Sequence, residues 1–104
     1  MVRKAFKMYL NEGMKAAYKK KHDEIWPELK KLLKEAGVSE YSIFLDEETN
    51  TLFPFQKVSG DAGSQDLGKN EVVKKWWEGL VGIMQVNEDN SPVSVPLQEV
   101  FYME

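Results

Sequence analysis

The chain holds one histidine, His22, and no cysteine. An imidazole with an ordinary pKa of about 6.5 both gives and takes protons near neutrality, which makes His22 the first place to look for acid–base chemistry. Tyr18 lies four residues earlier, a spacing that sets two helical side chains on one face, one turn apart. A lone histidine is equally a half-buried helix residue, and residue types alone leave both readings open. Trp76 and Trp77 are the second unusual feature. Neighbouring helical positions diverge by roughly 100°, so one indole can fill a core while the other lines a cleft, where its flat face and single N–H suit the C–H side of a sugar ring. Two core tryptophans fit the same pattern. Trp26, ahead of Pro27, reads as core. Tyr41 opens a strand-like segment, where it is either a pocket hydroxyl or an ordinary sheet tyrosine.

Other chemistries lack their residues. One histidine without cysteine does not build a typical zinc site, and the carboxylates show no calcium-loop spacing. There is no glycine-rich phosphate loop and no serine elbow. No metal or cofactor is expected, and disulfides are excluded. The net charge is -3 over 104 residues, 42% of them hydrophobic and 30% charged. That balance points away from nucleic acid and from anionic membranes as partners. No apolar run has the length of a membrane span or the form of a secretory signal, so a cytoplasmic location is expected.

Period-two alternation over residues 2–10 predicts a strand, and Asn11 offers a cap for a helix from Met14 to Ile25. Pro27 breaks that helix and sits near the first position of another, which turns Leu29, Leu32 and Leu33 inward and ends at Gly37. Residues 40–46 alternate again, with Tyr41, Ile43 and Leu45 on one face. A polar turn at 46–50 leads into a strand over 51–58. Pro54 within that strand predicts an edge or a bulge. Ser59 to Lys69 reads as a loop. Asn70 caps a helix whose apolar positions run from Val72 to Met84, with Gly79 and Gly82 as weak points. A last strand is expected over 97–103.

The order βαββαβ predicts an α+β fold with a ferredoxin-like sheet, one domain over residues 1–104. Helices would cover one sheet face, yet the strands carry apolar residues on both. A second copy of the chain would cover the other face, so a homodimer is expected.

Several segments resemble those of L-rhamnose mutarotases: Arg3-Lys4-Ala5-Phe6, Tyr18 to His22, Ile25-Trp26-Pro27-Glu28-Leu29, Trp76-Trp77, Asn87 through Asp89-Asn90-Ser91-Pro92-Val93-Ser94, and Leu97-Gln98-Glu99-Val100-Phe101-Tyr102. The likeness runs from the first strand to the last, and the segments are specific in combination. It implies a dimeric α+β barrel and a cofactor-free isomerase that interconverts the α and β anomers of L-rhamnopyranose. It carries the family's proton donor onto His22 and its sugar-binding positions onto Tyr18, Tyr41, Trp76 and Trp77. Phe53-Pro54-Phe55-Gln56 and the glycine-rich stretch from Gly60 to Gly68 depart from the family's pattern, which bears on edge geometry and substrate breadth.

Mutarotation opens the ring to an aldehyde and recloses it on the other face. It needs one proton delivered to the ring oxygen and one removed from the anomeric hydroxyl. His22 is expected as the acid at the ring oxygen, with Tyr18, Tyr41 or a water at the anomeric hydroxyl. The rival readings are a cofactor-free dimeric-barrel monooxygenase, a non-catalytic sugar-binding module, and a mutarotase of another aldose.

Overall fold

The computed structural model describes residues 1–60 and 62–104; Asp61, inside the expected loop, lies outside the described residues. The alternating start of the chain forms strand β1 (Val2–Tyr9). Phe6 and Met8, with Leu10 just beyond, point into the core. Gly13, at φ +78°, turns the chain, and helix α1 (Lys15–Asp23) starts behind Met14. The expected Asn11 cap is therefore displaced: Asn11 closes the preceding turn, its carbonyl accepting from the Met14 N–H at 3.2 Å. Pro27 then opens helix α2 (Pro27–Glu35) from an extended Trp26, the backbone that a residue before proline prefers. Gly37 at φ +94° ends it, in the left-handed conformation that favours glycine.

Strands β2 (Val38–Asp46) and β3 (Thr51–Val58) form a hairpin. Helix α3 (Glu71–Glu78) follows a short 3-10 turn at Ser64–Asp66, and the Asn70 side chain caps it as expected by accepting from the Val72 N–H at 2.8 Å. The last strand, β4, is Val95–Leu97. The sheet order is β2-β3-β1-β4, with every neighbouring pair antiparallel. Among the described residues this is an α+β fold, a four-stranded antiparallel sheet with three α-helices, in the split order expected.

The largest differences from expectation are the end of α3, the last strand and the place of Pro54; α1 (Lys15–Asp23) also stops short of Ile25, and β2 begins at Val38 instead of residue 40. Helix α3 stops at Glu78, capped by Gly79, instead of running to Met84. Gly82 at φ +86° turns the next segment back; Leu80 and Met84 reach the core while Val81 is exposed, and Met84 bridges to Leu10, just past the end of β1. The final strand occupies 95–97, not 97–103. Only Ala5 to Lys7 of β1 pair with it, and Val100 to Met103 are exposed. Pro54 lies neither at an edge nor at the bulge: β3 is flanked on both sides, and Pro54 is fully buried opposite Ile43. Between β1 and β3 the pairing skips from Ala5–Phe55 to Met8–Leu52, the gap left by a residue that cannot donate.

The bulge lies in β2. Register shifts by one residue between Ser39 and Ser42, and Glu40 takes φ +46°. The extra residue reverses the alternation, so Val38 before it and Tyr41 and Ile43 after it all face the helices. The opposite sheet face carries Phe53 and Phe55, half-buried, and Phe44, 67% exposed. Among the described residues no helix is long and apolar enough to cross a membrane.

Candidate active site

A cavity of about 610 Å³ opens between α1, α2 and the inner face of the hairpin. That is within the range of small-molecule sites. Tyr18 and His22 enter from α1, Leu33 from α2, Tyr41 and Ile43 from β2, and Leu52 from β3. The walls are largely aliphatic, and exposed lysines including Lys30 and Lys34 stand at the rim.

α1 is rich in lysine and buries only Tyr18 fully, so packing at one end of its inner stripe holds it in place. His22 stacks on Tyr18, with ring centroids 4.2 Å apart, and meets the edge of Trp76 at 5.4 Å. Trp26 meets Trp76 at 5.2 Å, nearly perpendicular. The Lys21 ammonium lies 4.4 Å from the Trp76 ring centre and passes over Gly79, where a Cβ would stand 2.5 Å from its Nζ. This is a cation–π contact.

His22 Nδ1 lies 2.9 Å from the Tyr18 carbonyl oxygen. A carbonyl only accepts, so Nδ1 carries the hydrogen and donates. Burial lowers the His22 pKa below its ordinary 6.5, and Lys21 lowers it further; the Tyr18 carbonyl and Asp23 act in the opposite direction. At neutral pH the ring is therefore neutral, with its lone pair on Nε2.

Tyr41 reaches the cavity because of the bulge. Its hydroxyl accepts from Ser64 Oγ at 3.5 Å. Ser64 is held by Gln56, which is 1% exposed: the Ser64 N–H donates to Gln56 Oε1 and Gln56 Nε2 donates to Ser64 Oγ, both at 2.8 Å. Burial raises the Tyr41 pKa, opposed by the Ser64 hydrogen bond. Burial also raises that of Tyr18, with the nearby Tyr41 adding to it.

Three of the five expected residues, Tyr18, His22 and Tyr41, thus line one cavity. Trp76 stands behind His22. Trp77 lines a separate shallow cleft with Gly68, Asn70 and Asp89, and its ring packs so closely on Gly68 that a Cβ there would come within 2.8 Å. The polar support from Gln56 and Ser64 was not singled out from sequence as part of a site. Its one signal was a glutamine in an otherwise apolar run. Among the described residues no cluster of three or more histidine, cysteine or carboxylate side chains could hold a metal ion.

Fold and cavity together define a small α+β protein with an acid–base constellation of one neutral imidazole and two phenols. Comparison with known proteins narrows this class. Residues 3–103 match the family described as L-rhamnose mutarotase. The chain is 73% identical to the L-rhamnose mutarotase of Formosa agariphila and 62% identical to that of Bacteroides thetaiotaomicron, each over all of both chains. It superposes with a TM-score of 0.93 on a crystal structure of L-rhamnose mutarotase from Formosa agariphila, at 69% identity and with both chains fully covered. The chain belongs to the L-rhamnose mutarotase family.

Proposed function

We propose that the chain, as one mutarotase domain over residues 1–104, interconverts the α and β anomers of L-rhamnopyranose by acid–base ring opening and reclosure. It is an isomerase of sugar metabolism. The observation that carries this reading is the cavity itself: in a chain alike over its whole length to L-rhamnose mutarotases, a neutral imidazole and two phenols line one largely aliphatic space large enough to admit a monosaccharide. A residue that must both give and take a proton in each turnover works best with a pKa near ambient pH, which places the proton chemistry on His22. Tyr18 and Tyr41 are the sugar contacts inside the cavity. Trp76 acts through the wall it forms behind His22; Trp77, the other sugar-binding position the resemblance implied, lines the separate cleft and is given no direct sugar contact in this reading.

The active form in this reading is a homodimer in the cytoplasm. The sheet face bearing Phe44, Phe53 and Phe55 has no cover from the helices, and a contiguous exposed apolar surface marks an interaction site. A second copy's sheet laid against it closes a dimeric α+β barrel.

Saturation-transfer NMR between the two anomeric protons of L-rhamnose measures the reaction directly. His22→Ala should lose most anomer exchange, about 10²–10⁴-fold for a lost acid–base group, while the sugar still binds. Wild-type exchange in that variant would end the assignment. The same assay over a panel of aldoses tests the substrate.

A further inference from the structure

We infer that Tyr41 is the second proton carrier of the reaction: its hydroxyl serves the ring oxygen, held as a donor by Ser64 and Gln56, while His22 Nε2 serves the anomeric hydroxyl. The inference rests on the mutarotase reading above and assigns the roles within that site. It exchanges the role of His22 expected from the sequence, where the imidazole stood as acid at the ring oxygen.

The assignment follows from counting hydrogens. A backbone N–H can only donate, so the Ser64 N–H at 2.8 Å identifies the facing atom of Gln56 as Oε1. The other end of that carboxamide is then Nε2, and it donates to Ser64 Oγ at 2.8 Å. Gln65 Nε2 donates to the same Oγ at 3.2 Å. A hydroxyl has two lone pairs and one hydrogen. With both lone pairs engaged, the Ser64 hydrogen goes to its remaining neighbour, the Tyr41 oxygen, at 3.5 Å. Hydrogen bonds of this kind are often long before substrate binds. The Tyr41 oxygen is thereby an acceptor on the Ser64 side, and its own hydrogen turns to the cavity. Gly63 permits the arrangement, since a Cβ there would stand 2.8 Å from Gln56 Oε1.

His22 is set in the complementary sense. Its Nδ1–H is used by the Tyr18 carbonyl, which leaves Nε2 as an acceptor. The base therefore approaches from the helix layer and the acid from the sheet. Tyr18 is less suited to the acid role. It shares a helix face with His22 and stacks on it, and no hydrogen bond among the described residues supports its oxygen, so a phenolate there would lack the donor that Ser64 gives Tyr41.

The step balances. Nε2 takes the hydrogen of the anomeric O1, and the O1–H pair becomes the second bond of C1=O1. The C1–O5 bond breaks, and its pair stays on O5, which takes the Tyr41 hydrogen. Imidazolium and phenolate result, the latter stabilised by Ser64. After rotation about C1–C2, O5 attacks the other face of C1. Its hydrogen returns to Tyr41, and the imidazolium protonates the new anomeric oxygen. Both residues end as they began.

The test is anomer exchange in Tyr41→Phe, Ser64→Ala and the double variant, with His22→Ala alongside and thermal melting of each. Tyr41→Phe should lower exchange about 10²–10⁴-fold with rhamnose affinity changed less than tenfold. Ser64 is a positioning residue, so Ser64→Ala should cost a smaller factor in wild type and none in the Tyr41→Phe background. An equal cost in both backgrounds refutes the relay. Near-wild-type exchange in Tyr41→Phe, with His22→Ala inactive, refutes the inference and leaves the mutarotase reading standing. Wild-type exchange in His22→Ala overturns both. Should Tyr41→Phe melt below the assay temperature, Ser64→Ala decides: its loss must appear in turnover and not in affinity, and the opposite split refutes the relay.

Discussion

Gln56→Leu removes a single buried carboxamide and keeps a side chain of similar volume. In the intact protein that group satisfies the Ser64 N–H and donates to Ser64 Oγ, both at 2.8 Å. Leucine leaves the Ser64 N–H without its acceptor in a residue 7% exposed, where water does not readily replace it. The cost of one buried, unsatisfied polar group is about 1–3 kcal/mol. Against a total stability of roughly 5–15 kcal/mol for a typical domain, this is a substantial fraction, and it corresponds to a fall in Tm on the order of 10 °C for a chain of this size. Urea unfolding followed by tryptophan fluorescence reads the change, with the m-value checking that the transition keeps its cooperativity. Because Ser64 loses its anchor, anomer exchange should fall beyond what the folded fraction explains. A loss under about 0.5 kcal/mol, the scale of ordinary surface substitutions, would refute the reasoning.

The kcat/KM of anomer exchange should rise with pH through the His22 pKa, because the neutral ring is the competent base. The midpoint should lie below the ordinary 6.5, since burial lowers it. The charged groups that act on the ring are Lys21 and Asp23 on its own helix; the cavity wall adds Lys30 and Lys34 from α2 and Glu40 and Tyr41 from β2, while α3 brings the uncharged Trp76. Activity that instead falls as pH rises through this region would make imidazolium the resting form. Trp77→Phe should lower Tm and leave KM unchanged, given the packing on Gly68; a raised KM with unaltered melting would mean that Trp77 touches the sugar directly. Asn70→Ala should cost about 1 kcal/mol through loss of the α3 cap, measured by chemical denaturation, and a null effect would remove the cap from the account. Phe44→Glu should shift the sedimentation of the protein from dimer toward monomer, and an unchanged dimer would place the interface elsewhere.

Much of the fold was legible locally. β1, the break at Pro27, the β2–β3 hairpin and the Asn70 cap each depend on patterns within a few residues, and the structure has all four. Errors arose where the outcome depends on distant partners. Residues 97–103 alternate like a strand, but only Val95–Leu97 find a neighbour in β1. The apolar run after α3 looks helical to Met84, yet Gly79 and Gly82 release it to pack against β1. Pro54 argues for an edge in sequence, and strand order alone makes it central.

The candidate site divides in the same way. His22 and Tyr18 lie on one helix face by spacing, so their stacking was determined by the sequence once α1 formed. Tertiary structure alone brought Tyr41 to them, through a bulge at Glu40 that no turn residue announces. It also separated Trp77 from the cavity and seated Gln56 against Ser64. Periodicity reports which way a side chain faces within its own element. The direction of a hydroxyl's hydrogen is decided by which donors and acceptors surround it, and for Tyr41 those come from β3 and the turn after it.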